Sequence, residues 1–166
     1  MTQQRQFAAW VEPFAGRFRE SRGEAVRLAR ELGDGDLAVS TGDAGWSVRD
    51  ELAHISASES DFLEVLGAIV RGEAPDTSAF ADIDGRNARN LAALEGRPMA
   101  DIAHDLEDHG RTLQELLGRL SDGDEGQQPA GIPFSMSGLL GGYAQHEPYH
   151  LDQIHAALRR AREATR

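Results

Sequence analysis

The sequence contains no cysteine and no lysine, and all 17 of its basic residues are arginines. Without cysteine, the chain cannot form disulfides, iron–sulfur clusters, cysteine-ligated zinc sites or a cysteine nucleophile. Without lysine, Schiff-base catalysis and the phosphate-binding lysine of a P-loop are excluded. Any chemistry therefore depends on histidine, carboxylates, arginine and hydroxyl groups.

Long apolar runs and an excess of positive charge are also missing. No apolar run approaches the roughly 18 residues that a membrane-spanning helix needs, and residues 1–11 lack the pattern of a secretory signal. We therefore expect a cytoplasmic protein without a membrane partner. The net charge of −11 would repel a polyanion, so we also expect no binding to nucleic acids.

The length and apolar pattern indicate a single all-α domain over residues 1–166. Apolar residues recur every three or four positions in four long segments, as in amphipathic helices, and no segment alternates with period two. This pattern predicts a four-helix bundle, whose helix order is left open by two long loops. The predicted long helices are 13–32, 47–71, 98–120 and 135–162, with a shorter helix at 82–95 and loops at 33–46, 72–81 and 121–134.

The segment His146-Glu147-Pro148-Tyr149-His150 carries the strongest local signal for a site. Histidines four positions apart share one face of a helix and can bind one metal ion together. The segment also fits H-E-x-x-H, in which the glutamate is a general base of zinc proteases. Two surface histidines that fit the motif by chance are the alternative. Pro148 predicts a kink or bulge, because it removes a backbone donor from the helix.

A helical wheel places Glu147 at the centre of the apolar stripe of the last helix, so its side chain should point inward. A buried carboxylate beside two histidines suggests a polar site inside the bundle, and a glutamate paired with an arginine is the alternative. His54, beside the apolar stripe of its helix, is the leading candidate for a third ligand. His109 is its rival, and we interpret it as a core residue hydrogen-bonded to a carboxylate such as Glu59 or Glu147. The other two histidines, His104 and His155, lie off the stripes and should be solvated.

Two stretches resemble the DinB-like (YfiT-like) metalloproteins. Residues 45–54, Gly-Trp-Ser-Val-Arg-Asp-Glu-Leu-Ala-His, are similar to the W-S-x-x-[DE]-x-x-x-H start of helix 2 in that family, and residues 146–154 are similar to its last-helix pattern H-[DE]-x-x-H-x-x-Q-I. The resemblance implies a four-helix bundle, often a homodimer, in which His54, His146 and His150 bind a divalent ion such as zinc or nickel. Pro148 departs from the family pattern.

Three functional hypotheses are open. The first is a metal-dependent enzyme acting on a small molecule, either a thiol S-transferase of the bacillithiol or mycothiol type or a hydrolase. A low-molecular-weight thiol would then be the cofactor, and Glu147 would be the catalytic residue that takes up a proton or orients a ligand histidine. The second hypothesis is a non-catalytic metal- or ligand-binding bundle of a stress response. The third is a structural, dimerising bundle with incidental histidines.

Overall fold

The computed structural model describes residues 7–42, 45–78 and 81–165. These residues form a helical fold. No β-strand occurs among them, so the predicted all-α class is confirmed, and none of their helices is long and apolar enough to cross a membrane. The elements are α1 (Glu12–Glu31), α2 (Asp34–Leu37), α3 (Val48–Val70), α4 (Ile83–Leu94), α5 (Met99–Leu117), a 3-10 turn (Asp122–Asp124) and α6 (Met136–Ala164).

Each predicted helix is present, with ends within three residues of the predicted positions. The prediction of a loop at 33–46 is wrong for Asp34–Leu37, which form the short helix α2. Its first turn carries Asp34 and Asp36 near the positive end of the helix dipole, and Leu37 is buried. Residues 43–44 and 79–80, in two predicted loops, lie outside the described residues. Despite Pro148, α6 continues without interruption from Met136 to Ala164.

The four long helices α1, α3, α5 and α6 form the bundle. Helix α1 packs against α5 and α6, and α3 packs against the same two helices from the opposite side. The order around the bundle is therefore α1, α5, α3, α6. Both long connections, from α1 to α3 and from α5 to α6, join helices at opposite corners. The shorter helix α4 packs on the outer side of α3.

The apolar core consists of two clusters at different heights in the bundle. One cluster includes Leu52, Ile102 and Ile154, and the other includes Phe62 and Leu113. On each long helix a short stretch separates the residues of the two clusters. These stretches contain buried polar side chains, which form a polar layer across the middle of the bundle. The buried members of this layer are Ser21, Arg22, Ser56, Ser58, Glu59 and Glu147.

Candidate metal centre

The side chains of His54, His146 and His150 converge at the edge of the polar layer. A capping box between Ser47 and Asp50 fixes the start of α3 and thereby places His54 about two turns into that helix. His146 and His150 lie one turn apart on the same face of α6. The Nε2 atom of His146 lies 3.1 Å from Nε2 of His54 and 3.2 Å from Nε2 of His150.

This arrangement fits three ligands of one metal ion. One nitrogen from each ring lies within 4.8 Å of the others. A tetrahedral ion with metal–nitrogen bonds of about 2.0–2.1 Å holds its ligands about 3.3–3.4 Å apart, which is close to the two Nε2 distances. Hydrogen bonding accounts poorly for this cluster, since each neutral imidazole has only one N–H to donate. The three rings therefore form a group that can hold a metal ion.

The side chains of His54 and His146 are also in the protonation state that a metal requires. Burial lowers the pKa of His54 to about 3, with further lowering by His150 and His146. Burial lowers the pKa of His146 to about 4, again helped by His150 and by the charge of Arg86. Both imidazoles are therefore neutral at physiological pH, and a neutral imidazole is the form that binds metals.

A buried carboxylate, Glu51, orients the third histidine. Its Oε2 atom lies 2.7 Å from Nδ1 of His150, and its Oε1 atom accepts a hydrogen bond of 2.9 Å from the hydroxyl of Thr41. A carboxylate can only accept, so Nδ1 of His150 carries the hydrogen and Nε2 keeps its lone pair for a metal. The sequence analysis missed Glu51, although a carboxylate one turn before His54 on the same helix was an available signal.

Trp46 covers the histidine rings from the loop before α3. Its ring centroid lies 4.8 Å from that of His54 and 6.2 Å from that of His150. The hydroxyl of Ser58 lies 3.3 Å from Nε2 of His54. The tryptophan of the W-S-x-x-[DE]-x-x-x-H stretch therefore has a local role, since it packs on two of the three rings.

Glu147 points into the bundle, as the helical wheel predicts, and only 2% of its surface is exposed. Its Oε2 atom accepts a hydrogen bond of 2.9 Å from Ser21 and lies 3.3 Å from the guanidinium of Arg22. The same guanidinium contacts Glu59, which also accepts a hydrogen bond of 3.3 Å from the hydroxyl of Tyr143. Pairing with an arginine, the alternative considered for Glu147, is therefore what the structure shows.

Two carboxylates thus share one guanidinium inside the polar layer. Burial raises the pKa of Glu147 to about 7, against the opposing effect of Arg22. Burial likewise raises the pKa of Glu59. The pair therefore retains one proton near neutral pH more readily than two exposed glutamates would. In the structure Glu51, rather than Glu147, contacts a ligand histidine, and the catalytic role of Glu147 stays a prediction.

The other three histidines lie away from the metal centre. His109 does not make the predicted hydrogen bond to Glu59 or Glu147, and its buried Nδ1 atom has no hydrogen-bond partner within the described parts of the chain. Burial and the nearby charge of Arg22 lower the pKa of His109. His104 is solvated as expected, whereas His155 is only partly exposed and lies 2.8 Å from a carboxylate oxygen of Glu24.

A cavity of about 510 Å³ opens directly onto the three histidines, and we call it the histidine cavity. A larger cavity of about 810 Å³ lies between α1 and α5, but none of the three histidines lines it. The histidine cavity is lined by Trp46, His54, Ser58, Phe62, Ile83, Arg86, Asn87, Phe134, Gly138, Leu139, Gly142, Tyr143, His146 and His150.

Comparison with protein families agrees with this geometry. The model of the DinB superfamily matches residues 17–154, a range that includes all three histidines and Glu51. Comparisons with curated proteins and with solved structures gave no match. The family match covers most of the chain and confirms the resemblance found in residues 45–54 and 146–154. The chain therefore belongs to the DinB superfamily.

Proposed function

We propose that His54, His146 and His150 hold a divalent metal ion and that the protein is a metal-dependent enzyme acting on a small molecule. The observation that supports this proposal best is the convergence of three Nε2 atoms on the wall of the histidine cavity. A catalytic metal site commonly has three protein ligands and leaves one position for water or substrate. The cavity provides space for a substrate at that position.

The donor set suits a reaction that begins with deprotonation. An ion held by three neutral imidazoles keeps its double charge and lowers the pKa of a bound water or thiol toward neutrality. Because the chain lacks cysteine, any sulfur nucleophile has to come from an external low-molecular-weight thiol. The proposed activity is therefore S-transfer from such a thiol to an electrophile, or hydrolysis where water is the nucleophile.

Residues of this chain support that chemistry in separate ways. Glu51 keeps the hydrogen of His150 on Nδ1, and Trp46 packs on the rings of His54 and His150. Tyr143 lines the histidine cavity and donates a hydrogen bond to Glu59, which shares Arg22 with Glu147. We propose that Glu59 accepts the proton through Tyr143, and that Glu147 acts on Glu59 through the shared Arg22 rather than by touching the substrate.

We also propose finer features that the resemblance to the family implies. They are zinc or nickel as the ion, bacillithiol or mycothiol as the thiol class, and a homodimer as the assembly. A non-catalytic bundle that binds a metal or ligand predicts the same ligands without turnover. The two functions therefore differ only in whether the metal-loaded protein converts a substrate.

Elemental analysis of the purified protein tests the site. We expect about one divalent ion per chain in the wild type and much less in His54→Ala, His146→Ala and His150→Ala. The matched control is His104→Ala, which changes a solvated histidine and should leave the metal content unchanged. Full metal content in His54→Ala would contradict the three-histidine site.

Turnover is tested with the metal-loaded protein. It would be incubated with glutathione, bacillithiol or mycothiol and a panel of electrophiles, and loss of thiol would be followed over time. Thiol-dependent turnover that disappears in His146→Ala would support the S-transferase. If the loaded protein shows no turnover with any thiol or hydrolysable ester, the non-catalytic binding bundle is the better description.

A further inference from the structure

One face of α6 forms the floor of the histidine cavity. Gly138, Gly142, His146 and His150 follow one another at intervals of four residues, so they share that face of the helix. A Cβ atom added at Gly142 would meet nothing within 4 Å. The backbone of α6 is therefore accessible at Gly142, and a flat molecule can lie against it there, whereas a Cβ atom at Gly138 would lie 3.3 Å from the hydroxyl of Ser135 and 3.4 Å from Cβ of Phe134.

The walls of the histidine cavity are predominantly aromatic and aliphatic. The rings of Phe62 and Tyr143 stack with centroids 3.8 Å apart and planes at 4°, and the ring of Tyr143 is within 17° of parallel to that of His146. Ile83 and Phe134, at the cavity, are 55% and 58% exposed. Among the residues that the structure describes, three large apolar side chains are exposed, and these are two of them. Exposed apolar surface around a concavity is typical of a ligand site.

Charge is scarce in this cavity. Apart from the histidines, Arg86 is the one charged side chain among the described residues that line the cavity. The Nε atom of Arg86 forms an ion pair of 3.0 Å with Asp61. In the metal-free cavity, a charged ligand would therefore lose its hydration without a dedicated counter-ion among the described lining residues, which is costly. These observations favour a neutral ligand.

One polar group of the cavity stands out. The side-chain oxygen of Asn87 is buried and has no hydrogen-bond partner among the residues that the structure describes. An unsatisfied buried acceptor costs free energy, and a ligand with one N–H or O–H group could satisfy it. Small-molecule sites commonly combine apolar walls with a few such polar groups.

We infer that the histidine cavity binds a neutral, flat, largely apolar molecule that carries one hydrogen-bond donor and lies along the glycine face of α6. In the proposed enzyme, on which this assignment of a substrate class rests, such a molecule is the acceptor substrate. The polar part of a thiol cofactor would then lie outside this cavity. The apolar walls, the open floor at Gly142 and the amide of Asn87 together define this class.

The test uses 1-naphthol as a neutral, flat probe with one donor, and 1-naphthoate as its anionic counterpart. Binding is measured by isothermal titration with the full-length protein, both as purified and after treatment with EDTA. In the EDTA-treated protein we expect 1-naphthol to bind about tenfold or more tightly than 1-naphthoate, because the cavity lacks a free counter-ion for a carboxylate. Equal or tighter binding of 1-naphthoate would overturn the inference.

Variants at a glycine locate the probe. Gly142→Leu places a side chain in open space on the cavity floor and should weaken 1-naphthol binding by about tenfold or more through steric exclusion. Its control is Gly16→Leu on α1, where an added Cβ also meets nothing within 4 Å. Gly142→Ala, a smaller change that favours the helix, should weaken binding less. Unchanged binding in a folded Gly142→Leu protein would overturn the inference.

These outcomes are separable from those of the metal test. Metal content reports on the three histidines, whereas naphthol binding to the EDTA-treated protein reports on the cavity alone. If wild-type protein contains metal but does not bind 1-naphthol, the inferred substrate class is wrong and the metal site stands. If the probe binds as expected to protein that never contains metal, the proposed function is wrong and the apolar cavity stands.

Discussion

Oε2 of Glu51 lies 2.7 Å from Nδ1 of His150, and this contact connects the buried carboxylate to the proposed metal ligand. The side chain of Glu51 is 1% exposed and that of His150 is 12% exposed. The hydroxyl of Thr41 holds the other carboxylate oxygen. The ring of His150 is therefore fixed in orientation and tautomer before any ion binds.

Replacing Glu51 should weaken metal binding without removing a ligand. We expect Glu51→Gln, which keeps the shape but loses the charge, to lower zinc affinity by about 10- to 100-fold, the usual effect of losing a carboxylate behind a ligand histidine. Competition with a chromophoric chelator measures the affinity. The control is Glu64→Gln, at an exposed position of the same helix. Equal zinc affinity in Glu51→Gln and wild type would contradict the assigned role.

The role of Glu51 could not be predicted from the apolar periodicity of the sequence. The sequence predicted the helices well because apolar spacing, the capping residue Ser47 and the loop glycines are local signals. His146 and His150 followed from their spacing of four, and His54 from its resemblance to a family pattern. An acid in the first turn of a helix, however, is already explained by the helix dipole. Its pairing with His150 depends on how two distant helices pack.

The same limit applies to the polar layer. The wheel placed Glu147 inside the bundle, but its partner Arg22 lies 125 residues away in the sequence. The pattern of α1 places Arg22 beside the apolar stripe, four residues after Phe18 and three before Ala25, but its pairing with Glu147 depends on the packing of α1 against α6. The histidine cavity is also a product of packing, since its floor on α6 and its far side at Asn87 come from separate segments.

Removing Arg22 should destabilise the protein strongly. Arg22→Met leaves the buried carboxylates of Glu59 and Glu147 without their cation, and breaking a buried ion pair in this way typically costs about 3–5 kcal/mol of unfolding free energy. Urea denaturation followed by circular dichroism measures the change. Arg19→Met is the control, because Arg19 and Glu12 form an exposed pair that should contribute less than about 1 kcal/mol. Equal stability of the two variants would contradict the importance of the buried cluster.

Acid should destabilise the metal-free protein through His54 and His146. Their pKa values are about 3 and about 4 in the folded protein, below the value of about 6.5 for an unfolded histidine. Stability from these groups is therefore fully present above pH 6.5 and is lost as the pH falls toward 3.

Urea denaturation of EDTA-treated protein at several pH values between 7.5 and 4 checks this expectation. The unfolding free energy of the wild type should fall with decreasing pH more steeply than that of His54→Gln, which lacks one of the two titrating groups. His104→Gln, at a solvated histidine, should keep the steep wild-type profile. Parallel profiles for wild type and His54→Gln would show that His54 does not carry this pH dependence.

Glu147 should give the opposite pH dependence. Its pKa is raised to about 7 by burial, above the value of about 4.3 for an unfolded glutamate. The stabilising contribution of this group is therefore complete below about pH 4 and is lost as the pH rises through 7. Because the amide of the Glu147→Gln variant does not titrate, this variant should gain stability relative to wild type, on the order of 2 kcal/mol, between pH 5 and pH 8.

Chemical denaturation of wild type and Glu147→Gln across this range measures the difference, with Glu20→Gln at an exposed position of α1 as control. A constant difference would mean that the pKa of Glu147 is not raised in the folded protein as expected. Activity distinguishes a structural from a functional role for the same residue. If Glu147 assists proton uptake by Glu59 through the shared Arg22, Glu147→Gln should lower kcat while metal content stays unchanged, because the neutral amide changes the charge around Arg22 and Glu59. An unchanged kcat in a stable, metal-loaded variant would leave Glu147 as a residue that only holds α6 against α1.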